Sequence, residues 1–218
     1  MRHSSKSTIL LPLELGILAA ALLACTVTIS PPQGAPVTQV VPVTQVVPVT
    51  QVIPVTKTVL EIAAGKPAIA SGFWKYSNSH QYPPANVVDR RTDEPEGCGS
   101  GSTTYWLLPD QQTGWVQVDL LQNYSVVKLR WLNTHNGRCG HDRATTRFHI
   151  ALSLTGAFSG EEQTVYRGTT PFSFSPAYEE TVLSQPVTAR FVRFYVDDYY
   201  RVGGGLNELE VYAEILGS

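Results

Sequence analysis

The sequence predicts an all-β fold, a β-sandwich or jelly roll, for residues 61–218 of this 218-residue chain. Short runs in that region alternate apolar and polar residues with the period of two that a strand requires, and β-branched and aromatic residues are frequent in them. Glycine and proline separate the runs, as they do at turns, and no long stretch shows helical spacing. Many short strands joined by turns are typical of sandwiches and jelly rolls.

Five runs carry the strand prediction: residues 114–120, 125–132, 148–154, 189–196 and 208–213. Because neighbouring side chains of a strand point to opposite faces, the alternation also predicts which residues enter the core. Val127, Leu129 and Trp131 are expected to face inward. In the last run the same rule places Glu208 on the outer face.

The first 25 residues have the features of an export signal. Arg2 and Lys6 supply positive charge, and the apolar run that follows, residues 15–24, is too short to span a bilayer. The run leads into Leu-Leu-Ala-Cys at residues 22–25, which resembles the lipobox of bacterial lipoproteins. That resemblance implies cleavage before Cys25, lipidation of Cys25, and a membrane anchor at the bacterial cell surface. An ordinary secretory signal, or an uncleaved anchor with an unrelated cysteine, is the alternative.

Residues 26–60 are predicted to form a spacer. A Pro-Val-Thr-Gln-Val-Val unit begins at Pro36 and repeats from Pro42 and Pro48, with a degenerate copy from Pro54. Proline at every sixth position removes backbone donors and blocks both helices and central strands. The expected result is a disordered or extended, semi-rigid linker. A sticky, β-prone segment is the alternative, which the prolines counteract.

Charge and motifs exclude several classes of function. The chain has a net charge of −2, and its β-rich part is mildly acidic without a basic stripe, which argues against nucleic acid as a partner. No nucleophile elbow, HExxH or phosphate loop occurs in the sequence. Neighbouring carboxylates such as Asp197 and Asp198 would point to opposite faces of a strand and make a poor acid–base pair for glycoside hydrolysis. The chain is therefore predicted not to be an enzyme.

Six stretches, in order along residues 65–213, resemble one family. They are 65–71 (GKPAIAS), 85–89 (ANVVD), 104–106 (TYW), 114–120 (GWVQVDL), 189–195 (ARFVRFY) and 205–212 (GLNELEVY). Together they resemble the discoidin family, also called coagulation factor 5/8 type C, and the similar family 32 carbohydrate-binding modules. The resemblance implies a galactose-binding-like jelly roll for residues 61–218.

Three features depart from the family pattern. The family usually has glycine after the aspartate of its acidic turn, where this chain has Arg90. It often has glycine after its Asp-Leu pair, where this chain has Leu121. Residues 94–103 add a glycine-rich piece. These departures affect the alignment of the loops, where binding residues lie.

Cys98 and Cys139 remain as a pair once Cys25 is assigned to the lipid anchor. Both lie in glycine-rich loops of an exported domain, where a disulfide is the expected state. The alternative is a zinc site that combines these two cysteines with His135 and His141, because thiolates and imidazoles are zinc ligands.

The resemblance also implies a structural Ca²⁺ ion beneath the binding loops. By position, the side chains that would supply oxygen ligands are Asp89, Asp93, Thr104 and Glu208. Calcium takes about six to eight oxygens, some of them backbone carbonyls, so few side chains suffice. In the alternative reading the two aspartates only cap a turn and Glu208 is a solvated strand residue.

Three loops, at residues 73–82, 134–143 and 197–201, are expected to bind the ligand. Aromatic rings offer flat apolar faces to sugars, and His, Arg and Asn form directional hydrogen bonds to hydroxyl groups. The candidate ligand-binding residues are Phe73, Trp74, Tyr76, His80, His135, Asn136, Arg138, His141, Tyr199, Tyr200 and Arg201. Some residues of these loops have structural alternatives: Trp74 or Tyr82 as packing beneath its loop, and Arg143 as an ion-pair partner of a nearby aspartate, Asp142 or Asp119.

The whole sequence predicts a non-catalytic, lectin-like surface lipoprotein. Its expected partner is an extracellular glycan, with galactose-like sugars favoured, and it is expected to be a monomer. The alternative is cell adhesion, in which the same loops bind a protein or a lipid head group; exposed Phe73 and Trp74 would suit membrane insertion. A small glycan-processing enzyme is a third reading.

Overall fold

The computed structural model describes residues 56–78, 81–92, 104–135 and 140–216, all within one compact unit, Val52–Ser218. Several predictions concern residues outside these ranges: the signal, lipidation at Cys25, the spacer repeats, and the roles of His80, Asp93, Cys98, Asn136, Arg138 and Cys139. Within the described ranges, no helix has the length and apolar character needed to cross a membrane.

Nine strands and one short 3₁₀ helix make up the described part of the domain. The strands are β1 (Lys57–Glu61), β2 (Ala68–Ala70), β3 (Trp106–Leu107), β4 (Gly114–Leu132), β5 (Thr145–Ser153), β6 (Gln163–Thr169), β7 (Tyr178–Tyr199), β8 (Gly205–Leu206) and β9 (Glu208–Leu216), and the 3₁₀ helix is Pro84–Val88. The main sheet has the order β1-β9-β4-β7-β5-β6, with β2 also paired to β4, while β3 and β8 form a second sheet. All the named strands pair antiparallel, which confirms the predicted all-β fold.

Two long strands, β4 and β7, bend so that the main sheet forms two layers. Residues 114–119 of β4 pair with residues 191–196 of β7, and residues 128–132 pair with residues 178–182. The register shifts between these two blocks, where extra residues let each strand turn. One layer is therefore β2-β4-β7-β5-β6 and the other is β1-β9-β4-β7.

The bends give the sandwich two distinct ends. We call residues 119–126 of β4 and 183–190 of β7 the bend end. Because both strands fold back, the first and last residues of β4 and of β7 all lie at the opposite end. We call that end, with the loops attached to those strand termini, the loop end.

Aromatic packing joins the two layers. The ring of Trp131, in the second half of β4, lies 5.3 Å from that of Phe148 in β5 and 4.9 Å from that of Tyr166 in β6. Phe148 in turn stacks on Phe194 of β7 at 4.9 Å. Burying a large apolar side chain contributes on the order of 2 kcal/mol, so this cluster is a major source of stability.

One residue predicted to face the core, Val127, does not do so, and its neighbour Val126 is buried instead. Val127 is only partly buried, whereas Val126 is fully buried. A register shift between Val126 and Lys128 interrupts the alternation at this point, and a slip of one residue exchanges the two faces of a strand. Beyond the shift, Leu129 and Trp131 are buried as predicted.

Strand pairing begins before residue 61. Lys57 lies opposite Leu216, so β1 forms an edge strand on β9. The Lys57 ammonium group also pairs with the carboxylate of Glu214 at 2.7 Å. Residues 57–60 (KTVL) differ from the preceding repeats because they contain no proline to prevent pairing.

Both positions where the discoidin resemblance expects glycine have a left-handed backbone. The φ angle is 61° at Arg90 and 73° at Leu121. A residue with a Cβ pays about 1 kcal/mol for this conformation, which glycine adopts freely. A carboxylate supports each turn: Asp89 accepts from the N–H of Arg91, and Asp119 accepts from the N–H of Leu121, both at 2.8 Å.

Candidate ligand-binding site

The strand registers gather the predicted loops at the loop end. The loop after β4 and the loop after β7 are joined by two backbone hydrogen bonds, from Tyr200 N–H to the carbonyl of Ala144 (2.8 Å) and from Val202 N–H to the carbonyl of Asp142 (3.0 Å). Trp74 and Tyr82, from the first predicted loop, reach the same end because their backbone groups bond to Leu107 of β3. The three loops are therefore held by the backbone as one assembly.

A row of aromatic side chains lies across this assembly. The imidazoles of His135 and His141 stack with their ring centres 5.5 Å apart, and Phe174 meets His141 edge-on at 5.1 Å. Phe172 contacts Phe174 at 4.9 Å and stacks on Tyr200 at 4.2 Å. We call these residues the aromatic shelf. The shelf joins the loop after β4, the loop before β7 and the loop after β7.

The aromatic shelf is partly exposed and carries hydrogen-bonding groups. Phe174 is 67% exposed to solvent. The guanidinium of Arg201 lies 5.1 Å from the ring centre of Tyr200. The Nδ1 atom of His141 is buried and has no hydrogen-bond partner among the described residues. Flat rings next to charged and polar nitrogen atoms are a combination suited to sugars.

Phe172 and Phe174 are missing from the residues predicted from sequence. They belong to Pro-Phe-Ser-Phe-Ser-Pro, residues 171–176, in the loop between β6 and β7. A signal for them exists, because phenylalanines between two prolines in a polar loop have no strand through which to enter the core. A recess of about 250 Å³ is formed by the residues flanking the shelf, among them Asn133, Thr134, Thr170, Ser173 and Ser175.

Two of the predicted ligand residues, Trp74 and Tyr76, belong to a separate cluster. The ring of Trp74 lies 6.0 Å from Tyr76 and 5.0 Å from Tyr82, and Tyr82 stacks on Tyr105 at 5.4 Å. Tyr82 and Tyr105 are buried, whereas Tyr76 is 75% exposed. Trp74 therefore packs on the aromatic residues under its own loop, and Tyr76 is the exposed member of the cluster.

Arg143 is a structural residue that fixes the loop end. Its side chain is buried, one Nη atom donates to a backbone carbonyl of the neighbouring loop at 3.1 Å, and the other pairs with the carboxylate of Asp110. Its guanidinium also lies 4.7 Å from the ring centre of Trp74. The suggested pairing with Asp119 is wrong, because Arg190 engages that carboxylate through two hydrogen bonds of 2.8 and 2.9 Å.

The remaining predicted ligand residues divide between the shelf and the core. Phe73 and Tyr199 are partly buried and pack against the hydrophobic core, and the Lys75 ammonium group lies 4.6 Å from the ring centre of Phe73. Among the described candidates, those on or beside the aromatic shelf are His135, His141, Tyr200 and Arg201.

Only two of the four side chains of the alternative zinc site, His135 and His141, lie within the described ranges. His135 and His141 stack on each other as above, while both cysteines lie outside the described ranges. Within those ranges, no group of three or more His, Cys, Asp and Glu side chains is arranged to hold a metal ion. The disulfide and the zinc site both remain predictions.

A buried polar site lies beneath the loop end, where the acidic turn meets the start of β9. The amide of Asn207, oriented by its hydrogen bonds, donates to the backbone carbonyls of Arg91 (3.1 Å) and Thr104 (3.0 Å). The backbone N–H of Arg90 donates to the carboxylate of Glu208. These bonds bring the acidic turn, Thr104 and β9 together, as the calcium prediction requires.

Glu208 is buried, so the outward position inferred from strand alternation is wrong. Its side chain is 1% exposed because β9 begins beneath the turn that contains Asp89. Burial, followed by the nearby charges of Asp89, Glu210 and Glu61, raises the pKa of Glu208 to about 8. Glu208 Oε2 and Thr104 Oγ1 have no hydrogen-bond partner in the described part of the chain.

These groups fit a calcium ion. Carboxylate, hydroxyl and backbone carbonyl oxygens are hard ligands of the kind that calcium prefers. The unpartnered oxygens of Thr104 and Glu208 are buried, and a cation would supply both the missing contacts and the opposite charge that burial demands. Asp89, Thr104 and Glu208 are the described side chains that would hold it.

One family model, described as F5/8 type C domain, matches residues 70–210 of the chain. A comparison with curated proteins found no match. Similar solved structures include chitosan-binding module 1 from a chitosanase/glucanase of Paenibacillus sp. IK-5, which is 20% identical with a TM-score of 0.54 over 71% of this chain and 99% of that one.

Two further solved structures have a similar fold. The family 32 carbohydrate-binding module of C. perfringens NanJ, determined in complex with galactose, is 16% identical, with a TM-score of 0.52 over 71% of this chain and 99% of that one. A fucolectin from the serum of striped bass, Morone saxatilis, is 19% identical, with a TM-score of 0.55 over 72% of this chain and 49% of that one. These structural likenesses confirm the predicted galactose-binding-like jelly roll.

Proposed function

Because the chain belongs to the F5/8 type C domain family, we propose that it is a non-catalytic, lectin-like protein that binds an extracellular glycan at the aromatic shelf. The observation that carries this proposal is the shelf itself. Its rings offer faces for the C–H surface of a sugar, and His135, His141 and Arg201 place hydrogen-bonding nitrogen atoms beside them.

The proposal favours galactose-like sugars as the ligand. The family 32 module with the same fold was determined in complex with galactose, and another similar domain was determined with GalNAc-β-1,3-galactose. The recess beside the shelf has a mainly apolar surface, to which Pro171, Pro176 and Ala177 contribute, with hydroxyl groups from threonine and serine side chains, and this combination suits a neutral sugar.

We further propose that a structural calcium ion supports this site from beneath. Asp89, Thr104 and Glu208 would hold the ion, which would tie the acidic turn to the start of β9. Asn207 already links these segments through their backbone carbonyls. The role of the ion would be to fix the loops that carry the ligand-binding residues, without contact with the sugar.

The proposed context is the bacterial cell surface. A lipid on Cys25 would anchor the chain, and the proline-rich repeats would hold the domain away from the membrane. Metabolic labelling with palmitate tests the anchor. Labelling of the wild-type protein that is lost in Cys25→Ser supports it, and equal labelling of the two proteins would reject it.

A glycan array with matched variants tests the sugar site. The wild-type domain, in calcium, is expected to bind galactose-containing glycans, and Phe174→Ala and Tyr200→Ala should each weaken binding about tenfold or more, because each removes a stacking face. Leu154→Ala is the matched control, since Leu154 is a half-exposed apolar residue on another loop. Tyr76→Ala separates the two aromatic clusters.

The outcomes distinguish the shelf from its alternatives. Loss of binding in Tyr76→Ala with retention in Phe174→Ala and Tyr200→Ala would move the site to the cluster around Trp74. Failure of the wild-type domain to bind any glycan, together with recovery of a protein or lipid ligand from the same loops, would overturn the carbohydrate proposal in favour of an adhesion module.

A further inference from the structure

The outer face of the five-stranded layer carries a concavity of about 650 Å³ that is separate from the aromatic shelf. Its polar lining comes from Arg147 of β5, Arg167 and Thr169 of β6, and Asp197 of β7. The strand register explains the grouping: Arg147 lies opposite Thr169, and His149 lies opposite Arg167. Residues two apart on a strand share a face, so both guanidinium groups lie on the same side of the sheet.

The carboxylate that lines this concavity is already engaged. Both oxygens of Asp197 lie within hydrogen-bonding distance of His149 Nδ1, at 3.0 and 2.8 Å. The imidazole is held in turn by Tyr195, whose ring stacks on it at 4.1 Å. Asp197 is therefore held against the imidazole, and its carboxylate keeps its negative charge but forms no ion pair with Arg147 or Arg167.

The two arginines keep most of their hydrogen-bonding capacity. Arg167 is exposed, and its side chain has no ion pair or hydrogen bond with any described residue. Arg147 donates to the backbone carbonyl of Asp197 at 3.4 Å and lies 3.8 Å from the carboxylate of Asp198, which are long contacts. By contrast, the described residues Arg130 and Arg190 each form a close ion pair with a carboxylate.

The edge of the sheet adds neutral donors beside this concavity. β6 is the last described strand of its layer, so some of its backbone N–H groups point away from the sheet edge, in the plane of the sheet. Thr169 contributes a hydroxyl group on the same face as Arg167. Two guanidinium forks with nearby N–H and O–H donors match the oxygens of a carboxylate or a sulfate group.

We propose that this concavity is an anion-binding subsite for the carboxylate or sulfate groups of an acidic polysaccharide. The position supports a polysaccharide as the carrier, because Arg147 lies only two residues, about 7 Å along the strand, below the pairing of Thr145 with Tyr199 at the loop end. A chain bound at the shelf can therefore continue onto the sheet face. The choice of carrier rests on the proposed function, whereas the anion subsite itself does not.

Biolayer interferometry with immobilised polysaccharides tests the proposal. Dextran sulfate presents sulfate, polygalacturonate presents carboxylate, and dextran is the neutral control; polygalacturonate is measured in calcium-free buffer because calcium crosslinks it. The variants are Arg167→Gln, Arg147→Gln and the double variant. Lys57→Gln is the matched control, since it removes one positive charge at the far edge of the other layer.

The wild-type domain is expected to bind at least one anionic polysaccharide and not dextran. Each single arginine variant should weaken binding about tenfold, because each loses a charge-assisted contact, and the double variant should weaken it further. Lys57→Gln should bind like the wild type. Binding to dextran sulfate alone would assign the site to sulfate, and binding to polygalacturonate alone would assign it to carboxylate.

Several results of these binding measurements would contradict an anion subsite on the sheet face. It is overturned if the wild type binds neither anionic polymer, if the arginine variants bind as well as the wild type, or if Lys57→Gln loses as much affinity as they do. Loss of anion binding in Tyr200→Ala with retention in Arg167→Gln would place the anion on the shelf instead. Binding of neutral galactosides by the arginine variants shows that they are folded and keeps this test separate from that of the shelf.

Discussion

The two ends of the sandwich differ in how completely their polar groups are satisfied. At the bend end, Asp119 accepts two hydrogen bonds from Arg190 and one from the backbone of Leu121. At the loop end, or within one residue of it, lie the buried side-chain atoms that have no partner among the described residues: Thr104 Oγ1, Trp131 Nε1, His141 Nδ1 and Glu208 Oε2.

This difference separates the part of the domain that maintains the fold from the part that we propose to bind the ligand. A buried polar group without a partner costs about 1–3 kcal/mol, and native proteins keep few of them. The chain satisfies the bend end by itself, whereas the loop end retains unpaired groups, of which Thr104 Oγ1 and Glu208 Oε2 are the oxygens that an added cation would satisfy. Three predictions of decreasing size follow from this division.

Calcium should produce the largest change in the free energy of unfolding, and it should act only through the site at the loop end. Calcium at 100 times its Kd is expected to raise the free energy of unfolding by about 2.7 kcal/mol, and a chelator should reverse the change. Glu208→Gln should abolish this response, because it removes a carboxylate ligand. Thermal unfolding with and without calcium measures the effect.

The control for calcium is Glu214→Gln, which removes a half-buried carboxylate at the β1 edge, away from Asp89 and Thr104. It should keep the full response to calcium. Glu208→Gln should unfold at or above the temperature of the calcium-free wild type, since burial already disfavours the Glu208 charge and raises its pKa. A wild-type domain indifferent to calcium, or a full response in Glu208→Gln, would contradict the calcium site.

The second largest effect is the contribution of the Asp119–Arg190 ion pair, at the bend end, to the free energy of unfolding, and it depends on pH. Hydrogen bonds from Arg190 hold the pKa of Asp119 below its usual value of 3.8. A carboxyl with a lowered pKa stabilises the folded state above its unfolded pKa, and that stabilisation is lost as the pH falls through the folded value. Asp119→Asn should therefore lower the free energy of unfolding by on the order of 1 kcal/mol at neutral pH.

Urea denaturation across pH measures this contribution. The difference between Asp119→Asn and the wild type should shrink as the pH falls below about 4 and disappear once the pH lies below the lowered pKa of Asp119, where both side chains are neutral. Arg190→Gln should show the same trend, and the double variant should lose little more than either single variant. A difference that stays constant with pH would show that the ion pair is not its source. Calcium should leave this difference unchanged.

Much of the scaffold is predictable from sequence, because period-two alternation directly reflects burial on one face of a strand. The pattern gave the correct faces for Leu129 and Trp131. It failed at Val127 and at Glu208, where a register shift and an overlying turn override the alternation. Both exceptions depend on contacts between distant segments, which the local sequence does not contain.

The proposed ligand-binding end is less predictable because three separate loops must meet to form it. The sequence indicated three loops that the structure brings together at one end, but it placed Phe73 and Tyr199 among ligand residues although both pack on the core. It also omitted Phe172 and Phe174, which join the shelf through ring contacts with residues far away in sequence. Aromatic composition marks a loop as a candidate, while the exposed face of each ring depends on its neighbours.

The smallest predicted effect is a gain in stability at the bend end. Leu121 has a φ of 73° and is 54% exposed. Its Cβ strains the left-handed backbone, while its side chain buries little apolar surface to offset that strain. Leu121→Gly removes the Cβ that causes the strain, although glycine also gives the unfolded chain more freedom, which offsets part of the gain. Leu121→Ala keeps the strain and loses the same apolar side chain, so it is the reference. Urea denaturation should show Leu121→Gly more stable than Leu121→Ala by about 0.5 kcal/mol, with glycan binding and the calcium response unchanged. If the alanine variant were the more stable, relief of backbone strain could not be the dominant effect at this turn.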